Sequence, residues 1–202
     1  MKKLIPFILL LILLLVFATA ANAQRRGSMV RIDGSISVAR VNDYVEYCYH
    51  RQYKDNWCWA ACVQMVLDYY GLEVTQSRIV ERAYGDAYDF TADGEDIVDA
   101  IDRWNVNGSL IRATSEKYKS AKTLIDAMTK GTPLIIGLDE QFTSTGHAYV
   151  LTHVFFTTDY RGNMTPTRVL VVNPANEGDL EESLDWDEFY ERINTIIIVT
   201  KS

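Results

Sequence analysis

The sequence is poor in histidine, cysteine and proline, and it has no excess of positive charge. Its 202 residues include 3 His, 3 Cys and 4 Pro, and 20 Lys and Arg stand against 27 Asp and Glu, for a formal charge of −7 at pH 7. An acidic chain without a basic patch is poorly suited to bind nucleic acid or anionic membrane surfaces. Internal repeats and low-complexity tracts are absent as well. The composition therefore indicates a globular protein that does not bind nucleic acid.

Long hydrophobic runs are also missing. The unbroken apolar run from Leu4 to Phe17 covers about 14 residues, whereas a spanning helix needs roughly 20. Lys2 and Lys3 precede this run, and Ala21-Asn22-Ala23 follows it as a small-x-small cleavage site. We therefore expect residues 1–23 to be a signal peptide, so that the protein is exported to the periplasm or the extracellular space without stable membrane insertion. The alternative is an uncleaved membrane anchor.

The cysteine count is odd, which is unusual for an exported protein. One reactive thiol and one disulfide is the simplest arrangement, with Cys58 as the thiol and Cys48 bonded to Cys62. Alternatively, Cys48 and Cys62 are reduced and buried, where cysteine packs as a small hydrophobic residue. The sequence leaves both arrangements open.

The chain after the signal peptide suits one domain with a hydrophobic core. Apolar residues alternate partly with polar ones on both sides of Asp33-Gly34, which predicts a strand or short hairpin. Residues 24–47 are therefore either an N-terminal arm packed on the domain or a removable pro-segment. Residues 48–202 form the main domain.

The first half of that domain has helix signals and the second half has strand signals. Four helices are expected, beginning at Cys58 or after the caps Thr75, Asp93 (with Asp96 in a capping box) and Ser120. Strands are expected at 110–113, 133–138, 147–157, 167–172 and 193–200, with a short helical or irregular segment at 185–192. This order predicts an α+β fold.

The helix that begins at Cys58 has the features of a nucleophile helix. A turn at Lys54-Asp55-Asn56 precedes it, and Asp55 or Asn56 is expected to cap its first N–H groups. Cys58 then lies in the first turn, where the partial positive charge of the helix terminus favours a thiolate. A thiolate nucleophile also needs a base, a group that orients the base, and oxyanion donors.

This stretch resembles the active-site segment of papain-like cysteine peptidases. The resemblance rests on Gln52, six positions before Cys58, and on Cys58-Trp59-Ala60 at the start of a long helix. It is greatest to the compact bacterial branch, which includes type III effector proteases and peptidases that trim bacteriocin leaders. The resemblance implies a papain-like architecture, with a helical half that bears the nucleophile and an antiparallel sheet half that bears the base. It also implies that Gln52 helps to form the oxyanion hole.

Two downstream residues complete the resemblance. His147, after Gly146 at the start of a strand, is similar to the family's catalytic histidine. Asn173, which ends the next strand before Pro174, is similar to the family's Asp or Asn position that orients the histidine. Many compact bacterial members carry Asp there, so this chain would orient its base without an added negative charge. The other histidines are expected to be structural (His153) or to line the site at most (His50).

The leading hypothesis is an exported cysteine endopeptidase that acts on peptide or protein substrates through Cys58, His147, Asn173 and Gln52. No metal and no organic cofactor are implied. The same residues could instead support a transamidase or a cell-wall peptide amidase, because fold does not fix the substrate. An inactive papain-fold binding module is a further alternative. A zinc site built from Cys58, Cys62 and His147 would lack a fourth ligand.

Overall fold

The structure is a computed structural model that describes residues 26–42, 44–118, 120–140, 146–175 and 180–202. Its helices are α1 (Tyr44–Tyr47), α2 (Cys58–Tyr69), α3 (Gln76–Tyr84), α4 (Gly94–Ile101), α5 (Ala121–Thr129) and α6 (Trp186–Arg192). Its strands are β1 (Ser28–Asp33), β2 (Ile36–Arg40), β3 (Asn105–Val106), β4 (Ser109–Glu116), β5 (Leu134–Leu138), β6 (His147–Thr158), β7 (Met164–Val172), β8 (Glu181–Asp185) and β9 (Ile193–Lys201). The expected signal peptide, residues 1–23, lies outside the described residues.

Within the described residues, the strands form one antiparallel sheet. Its order is β1-β2-β6-β5-β9-β4-β3, and β7 pairs with β6 and with β8. Strand β6 is the centre of this arrangement, because β7 pairs along one edge while β5 and β2 share the other edge. The first half of β6 pairs with β5 and the second half with β2. The α+β fold with an antiparallel sheet is thus confirmed.

Helix α2 is the core of the helical layer. Nearly all of its residues after Cys58 are buried, including Trp59, Met65 and Leu67. A helix that is apolar on all sides is stable only when it is enclosed. Here α2 packs against β6 and β5 on one side and against α3 and α4 on the other. Tyr70, at its C-terminal end, donates a hydrogen bond from its hydroxyl to the Val199 carbonyl at 2.7 Å, which ties the helix to β9.

The expected helix caps are largely confirmed. Thr75 accepts a hydrogen bond from the Arg78 N–H, and Ser120 accepts one from the Thr123 N–H. Asp93 forms the predicted capping box with Asp96. These caps could be recognised because each depends on residues only a few positions apart.

The predicted cap of α2 is wrong. The N-cap position is Trp57, and no side chain caps the helix. Asn56 instead bonds to Asp89, since its backbone N–H donates to Asp89 Oδ1 at 3.0 Å and its side-chain Nδ2 donates to the Asp89 carbonyl at 3.2 Å. The first N–H groups of α2 therefore remain available to the active-site side of the helix.

Residues 28–40 form the predicted hairpin. Strand β2 pairs with β6 from Ile36 opposite Thr157 to Arg40 opposite His153. Val38, Ala39 and Val41 are buried. The hairpin therefore extends the main sheet, although the choice between an arm and a pro-segment stays a prediction.

The described part of the chain contains all three cysteines and all of the helices given above. The structure contains no disulfide bond between Cys48, Cys58 and Cys62, and Cys48 and Cys62 are buried. This agrees with the second of the two expected arrangements. None of the helices in the described ranges is long and apolar enough to cross a membrane.

Candidate active site

Cys58 is the first residue of α2, at the meeting point of the helical layer and the sheet. A turn closed by the Trp57 N–H and the Lys54 carbonyl, at 3.1 Å, brings the chain into the helix. The His147 side chain and the backbone N–H groups of Ala148 and Trp59 act on the Cys58 sulfur as hydrogen-bonding groups that lower its pKa. All three partners favour a negatively charged sulfur.

His147 begins β6, directly across from the end of β5, since it pairs with Leu138. Its imidazole lies against the Tyr149 ring in an edge-to-face contact, with the ring centroids 4.8 Å apart. Such contacts fix ring orientation as well as adding packing energy. The strand and the neighbouring ring therefore hold the imidazole toward Cys58.

Asn173 is the first residue after β7. Val172, the last residue of that strand, pairs with Val150 of β6, so the β6–β7 hairpin brings Asn173 back beside His147. The distance from His147 Nε2 to Asn173 Oδ1 is 2.8 Å. Asn173 is only 8% exposed.

The hydrogen bonds of Asn173 determine the tautomer of His147. Its Oδ1 accepts from the Ala175 N–H at 2.9 Å, and its Nδ2 donates to Glu182 Oε1 at 2.7 Å. Because a carboxylate and an N–H each permit only one role, the amide orientation is fixed. Oδ1 must therefore accept from His147 Nε2–H, which leaves Nδ1 as the ring nitrogen available to the Cys58 thiol.

The electrostatics of the pair favour proton transfer from sulfur to imidazole. Burial alone would raise the pKa of Cys58, but the hydrogen bond and charge of His147, with the two backbone N–H groups, outweigh it and lower that pKa. Burial alone would lower the pKa of His147, but Cys58, Asn173 and Glu140 outweigh it and raise that pKa. Together the two pKa shifts extend the pH range in which the thiolate–imidazolium form is populated toward neutral pH.

Gln52 makes a different set of contacts from the one expected. Its Nε2 donates to the carbonyls of Lys54 at 3.1 Å and Asp55 at 3.0 Å. Its Oε1 is buried without a hydrogen-bond partner in the described structure. In this conformation the amide supports the turn before Cys58. Its Nε2 would have to give up one of these two hydrogen bonds before it could donate to an oxyanion.

A cleft of about 250 Å³ opens beside the Cys58–His147 pair. Its walls come from the start of α2, from the segment leading into α4, and from β5, β6 and β9. The lining includes Cys58, His147, Asp93, Gly94, Gly137 and Asn194. The nucleophile therefore faces a groove between the helical layer and the sheet.

The remaining histidines lie in other interactions. His50 Nε2 is 3.2 Å from Asp68 Oδ2. His153 Nδ1 is 3.0 Å from Thr152 Oγ1 and 3.4 Å from Glu181 Oε1. Neither histidine lines the cleft at Cys58.

Two carboxylates near the site were not anticipated from the sequence. Glu140 follows β5 and contributes to the raised pKa of His147. Glu182 lies in β8, a strand of low β-propensity that no local pattern predicts. The proximity of Glu182 to Asn173 can be recognised only once β8 is known to pair with β7. Within the described residues, no group of three or more His, Cys, Asp or Glu side chains is arranged to hold a metal ion.

The model of the Peptidase_C39 like family matches residues 44–196. No curated protein matches the chain.

Several solved structures have a similar fold. The peptidase domain of Streptococcus ComA, a bifunctional ABC transporter involved in a quorum sensing pathway, has a TM-score of 0.53 and 15% identity, over 75% of this chain and 96% of that one. A double glycine motif protease from an AMS/PCAT transporter, solved in complex with the leader peptide, has a TM-score of 0.51 and 21% identity, over 75% and 89%. UfSP from C. elegans has a TM-score of 0.51 and 15% identity, over 86% of this chain and 35% of that one. At these identities the likenesses show the fold alone.

Proposed function

The chain belongs to the Peptidase_C39 like family, and from that premise we propose that it is an exported cysteine endopeptidase whose nucleophile is Cys58. It is a papain-like cysteine peptidase, as the resemblance in its sequence predicted. The finer assignment of the catalytic residues is the proposal. Its main support is that Cys58 and His147 line one cleft and interact electrostatically, while His147 Nε2 lies 2.8 Å from Asn173 Oδ1.

In the proposed reaction, His147 Nδ1 accepts the thiol proton and the Cys58 thiolate attacks the scissile carbonyl carbon. The Cys58 backbone N–H and Gln52 stabilise the resulting oxyanion. When the C–N bond breaks, His147 returns the proton to the leaving amine and a thioester remains on Cys58. Water, deprotonated by His147, then attacks the thioester, and the sulfur departs as the acid product is released.

Asn173 orients the base in this scheme. By accepting from Nε2–H it keeps Nδ1 directed at the sulfur throughout the cycle, and its Oδ1 stabilises the imidazolium that forms after each proton transfer. The amide is itself held by Ala175 and Glu182, which supports a fixed orientation.

The substrate we propose is an extended peptide segment. The cleft lies between the start of α2 and strands β5, β6 and β9, so a peptide segment that enters it would pass beside Cys58. The similar protease solved with a leader peptide is described by a double glycine motif. A peptide with Gly-Gly before the scissile bond is therefore the first substrate to assay, beside a library with other residues at those positions.

Export is proposed from residues 1–23 alone. Cleavage after Ala23 would give a mature chain that begins at Gln24. Mass spectrometry of protein recovered from the periplasm or medium measures the N-terminus directly. A chain that retains Met1 and remains with membranes would overturn this part of the proposal.

The decisive experiment compares wild type with Cys58→Ala in a peptide-cleavage assay and in iodoacetamide labelling. We expect the wild type to label at Cys58 well below the ordinary thiol pKa of about 8.5 and to release a peptide acid and an amine. Cys58→Ala should fold normally and cleave nothing. Retained cleavage in Cys58→Ala would assign the nucleophile elsewhere, and an amide or transfer product in place of the acid would indicate an amidase or transamidase. A wild-type protein whose Cys58 labels only at alkaline pH would indicate either a latent precursor or a binding module, and the same assay on a chain that begins at Tyr44 would separate these two.

A further inference from the structure

The Asn173 side chain makes its third hydrogen bond to a carboxylate on a different strand. Its Nδ2 lies 2.7 Å from Glu182 Oε1. An amide N–H that donates to a carboxylate forms a charge-assisted bond, which is stronger than a neutral one. Hydrogen bonds in series also polarise one another. The bond to Glu182 therefore makes Asn173 Oδ1 a better acceptor for His147.

Strand pairing positions Glu182 for this contact. Strand β8 runs antiparallel to β7, with Glu182 opposite Val171 and Glu181 opposite Val172. Glu182 therefore comes back beside the end of β7, where Asn173 follows.

The two neighbouring glutamates serve two different histidines. Glu181 lies directly against His153 and also accepts a hydrogen bond from Thr152 Oγ1 at 2.7 Å. Glu182 is linked to His147 through the Asn173 amide. The pair thus offers a carboxylate at the site and a matched one beside it.

A neutral amide cannot by itself balance the cation that His147 becomes. When the thiol proton moves to the ring, the imidazolium has the Cys58 thiolate on one side and Asn173 Oδ1 on the other. During acylation the thiolate charge is consumed, and the imidazolium is left without that partner. A carboxylate behind the amide is then the group that continues to stabilise it.

We infer that Glu182 is a positioning residue that acts through Asn173 to hold His147 in its Nε2–H tautomer and to stabilise the imidazolium. This inference rests on the proposed function, since it assigns a role within the same Cys58–His147–Asn173 site. It makes the orienting element a pair, Asn173 and Glu182, in which the amide provides the geometry and the carboxylate provides the charge.

Other titratable groups around His147 must be kept constant in any test. They are Cys58 on α2, Glu140 after β5, Tyr149 on β6 and Arg192 on α6. Arg192 Nη2 lies 3.7 Å from Glu140 Oε1. The variants used below leave all four residues unchanged.

The first test is Glu182→Gln, with Glu181→Gln as its matched control. Glutamine keeps an acceptor for Asn173 Nδ2 but removes the charge, so the fold and the hydrogen bond can persist. In Glu182→Gln we expect the alkaline limb of peptide cleavage, where the His147 imidazolium is lost, to move down by about half a pH unit, because the carboxylate charge that stabilises the imidazolium is gone. This is less than the shift of roughly 1–3 units that a charge in direct contact produces. The acid limb of Cys58 alkylation should not move up, because the loss of a negative charge does not disfavour the thiolate. Glu181→Gln should keep the wild-type limbs, and thermal melting of both variants checks the fold.

The second test moves the charge onto the position next to His147. Asn173→Asp alone places two carboxylates at the distance of a hydrogen bond, where they cannot both remain ionised without repulsion. We expect its kcat/KM at pH 8 to fall by at least about tenfold. In the double variant Asn173→Asp/Glu182→Gln, the glutamine amide can donate to the carboxylate introduced at position 173, and kcat/KM should return to within about threefold of wild type.

These outcomes separate the inference from the proposed function. If wild-type Cys58 is activated but Glu182→Gln has wild-type limbs, or if the double variant is no better than Asn173→Asp, then Glu182 only ties β8 to β7 and the inference is overturned. If wild-type Cys58 is not activated at all, the proposed function itself fails. A lowered alkaline limb in Glu182→Gln together with rescue in the double variant would support both.

Discussion

The Cys58 sulfur is influenced by the His147 side chain and by two backbone N–H groups, and of these only His147 titrates in the working pH range. The pKa of Cys58 is lowered and that of His147 is raised. As pH rises through the Cys58 pKa the thiolate–imidazolium pair forms, and as pH rises further through the His147 pKa the imidazolium is lost. Cleavage is therefore expected to follow a bell-shaped pH profile between these two limits.

Removal of the imidazole tests this account most directly. In His147→Ala the hydrogen bond and charge that lower the Cys58 pKa are gone while its burial remains. We expect that pKa to rise above the ordinary thiol value and kcat/KM to fall by about 10²–10⁴. Iodoacetamide alkylation quenched at fixed times over a range of pH, with mass spectrometry of the Cys58 peptide, measures the pKa of Cys58. A peptide-cleavage assay measures kcat/KM.

His50→Ala is the matched control for this prediction, because His50 lies against Asp68 and does not line the cleft. It should leave the pH profile of Cys58 alkylation unchanged.

Asn173→Ala should reduce activity less than His147→Ala, because it removes the group that orients the base but not the base itself. Equal activity in His147→Ala and wild type would show that the base is misassigned.

Gln52 provides a prediction in which two roles compete. If its amide exchanges a turn carbonyl for the oxyanion, Gln52→Ala should lower kcat by about 10²–10³ with a smaller effect on KM. The same substitution removes the bonds to Lys54 and Asp55 and should lower the melting temperature modestly. A lower melting temperature with unchanged kcat would mean that Gln52 only supports the turn before Cys58.

At the scale of single residues, the sequence was informative wherever a motif carried the chemistry. The helix start predicted Cys58 as the nucleophile, and the resemblance to papain-like peptidases pointed to His147 and Asn173. The structure brings His147 and Asn173 together, and the catalytic roles of all three residues stay predictions. The contacts of Gln52 could not be foreseen, because they depend on how one turn closes. Glu182 could not be foreseen because its strand forms only through pairing with β7.

Among the secondary-structure elements, the N-terminal hairpin lies away from the cleft. Strand β2 covers the half of β6 that β5 does not reach, and the described residues of the hairpin contribute none of the cleft lining. A segment that blocked the site would be expected at the cleft. This arrangement favours a structural arm over an inhibitory pro-segment.

A chain that begins at Tyr44 tests this interpretation. The loss of β1 and β2 would expose the edge of β6 and the apolar surface that Val38 and Ala39 cover. We expect a lower melting temperature and a greater tendency to aggregate, because unpaired strand edges promote association. Differential scanning fluorimetry and size-exclusion chromatography measure both, and peptide cleavage should not increase. A stable, more active truncated enzyme would identify residues 24–43 as a pro-segment.

Features that depend on residues close together in the sequence were predicted well, and features that depend on distant residues were not. The capping box at Asp93 depends on Asp96, only three positions along the chain. By contrast, the bare N-terminus of α2 depends on Asn56 bonding to Asp89 across the chain. Strand β8, with the sequence Glu-Glu-Ser-Leu-Asp, has little intrinsic tendency to be extended.

For the molecule as a whole, the fold divides the cysteines by accessibility. Cys58 faces the cleft, whereas Cys48 is 1% exposed and Cys62 is fully buried. Burial and the neighbouring Cys58 also raise the pKa of Cys62, so its thiolate is scarce even where reagent can reach it. The alkylation rates of Cys48 and Cys62 should therefore report on global unfolding, and the alkylation rate of Cys58 should report on the state of the active site.

Thiol counting under native and denaturing conditions tests this division. A short iodoacetamide pulse near neutral pH, without reductant, should label Cys58 alone in the folded mature protein. The same pulse at alkaline pH in guanidinium chloride should label Cys48, Cys58 and Cys62, because unfolding removes the burial that protects two of them. If only Cys58 is labelled after denaturation until a reductant is added, then Cys48 and Cys62 form a disulfide in the exported protein. In that case the core around the start of α2 must differ from the reduced arrangement described above, and the stability of the truncated chain should be measured in both redox states.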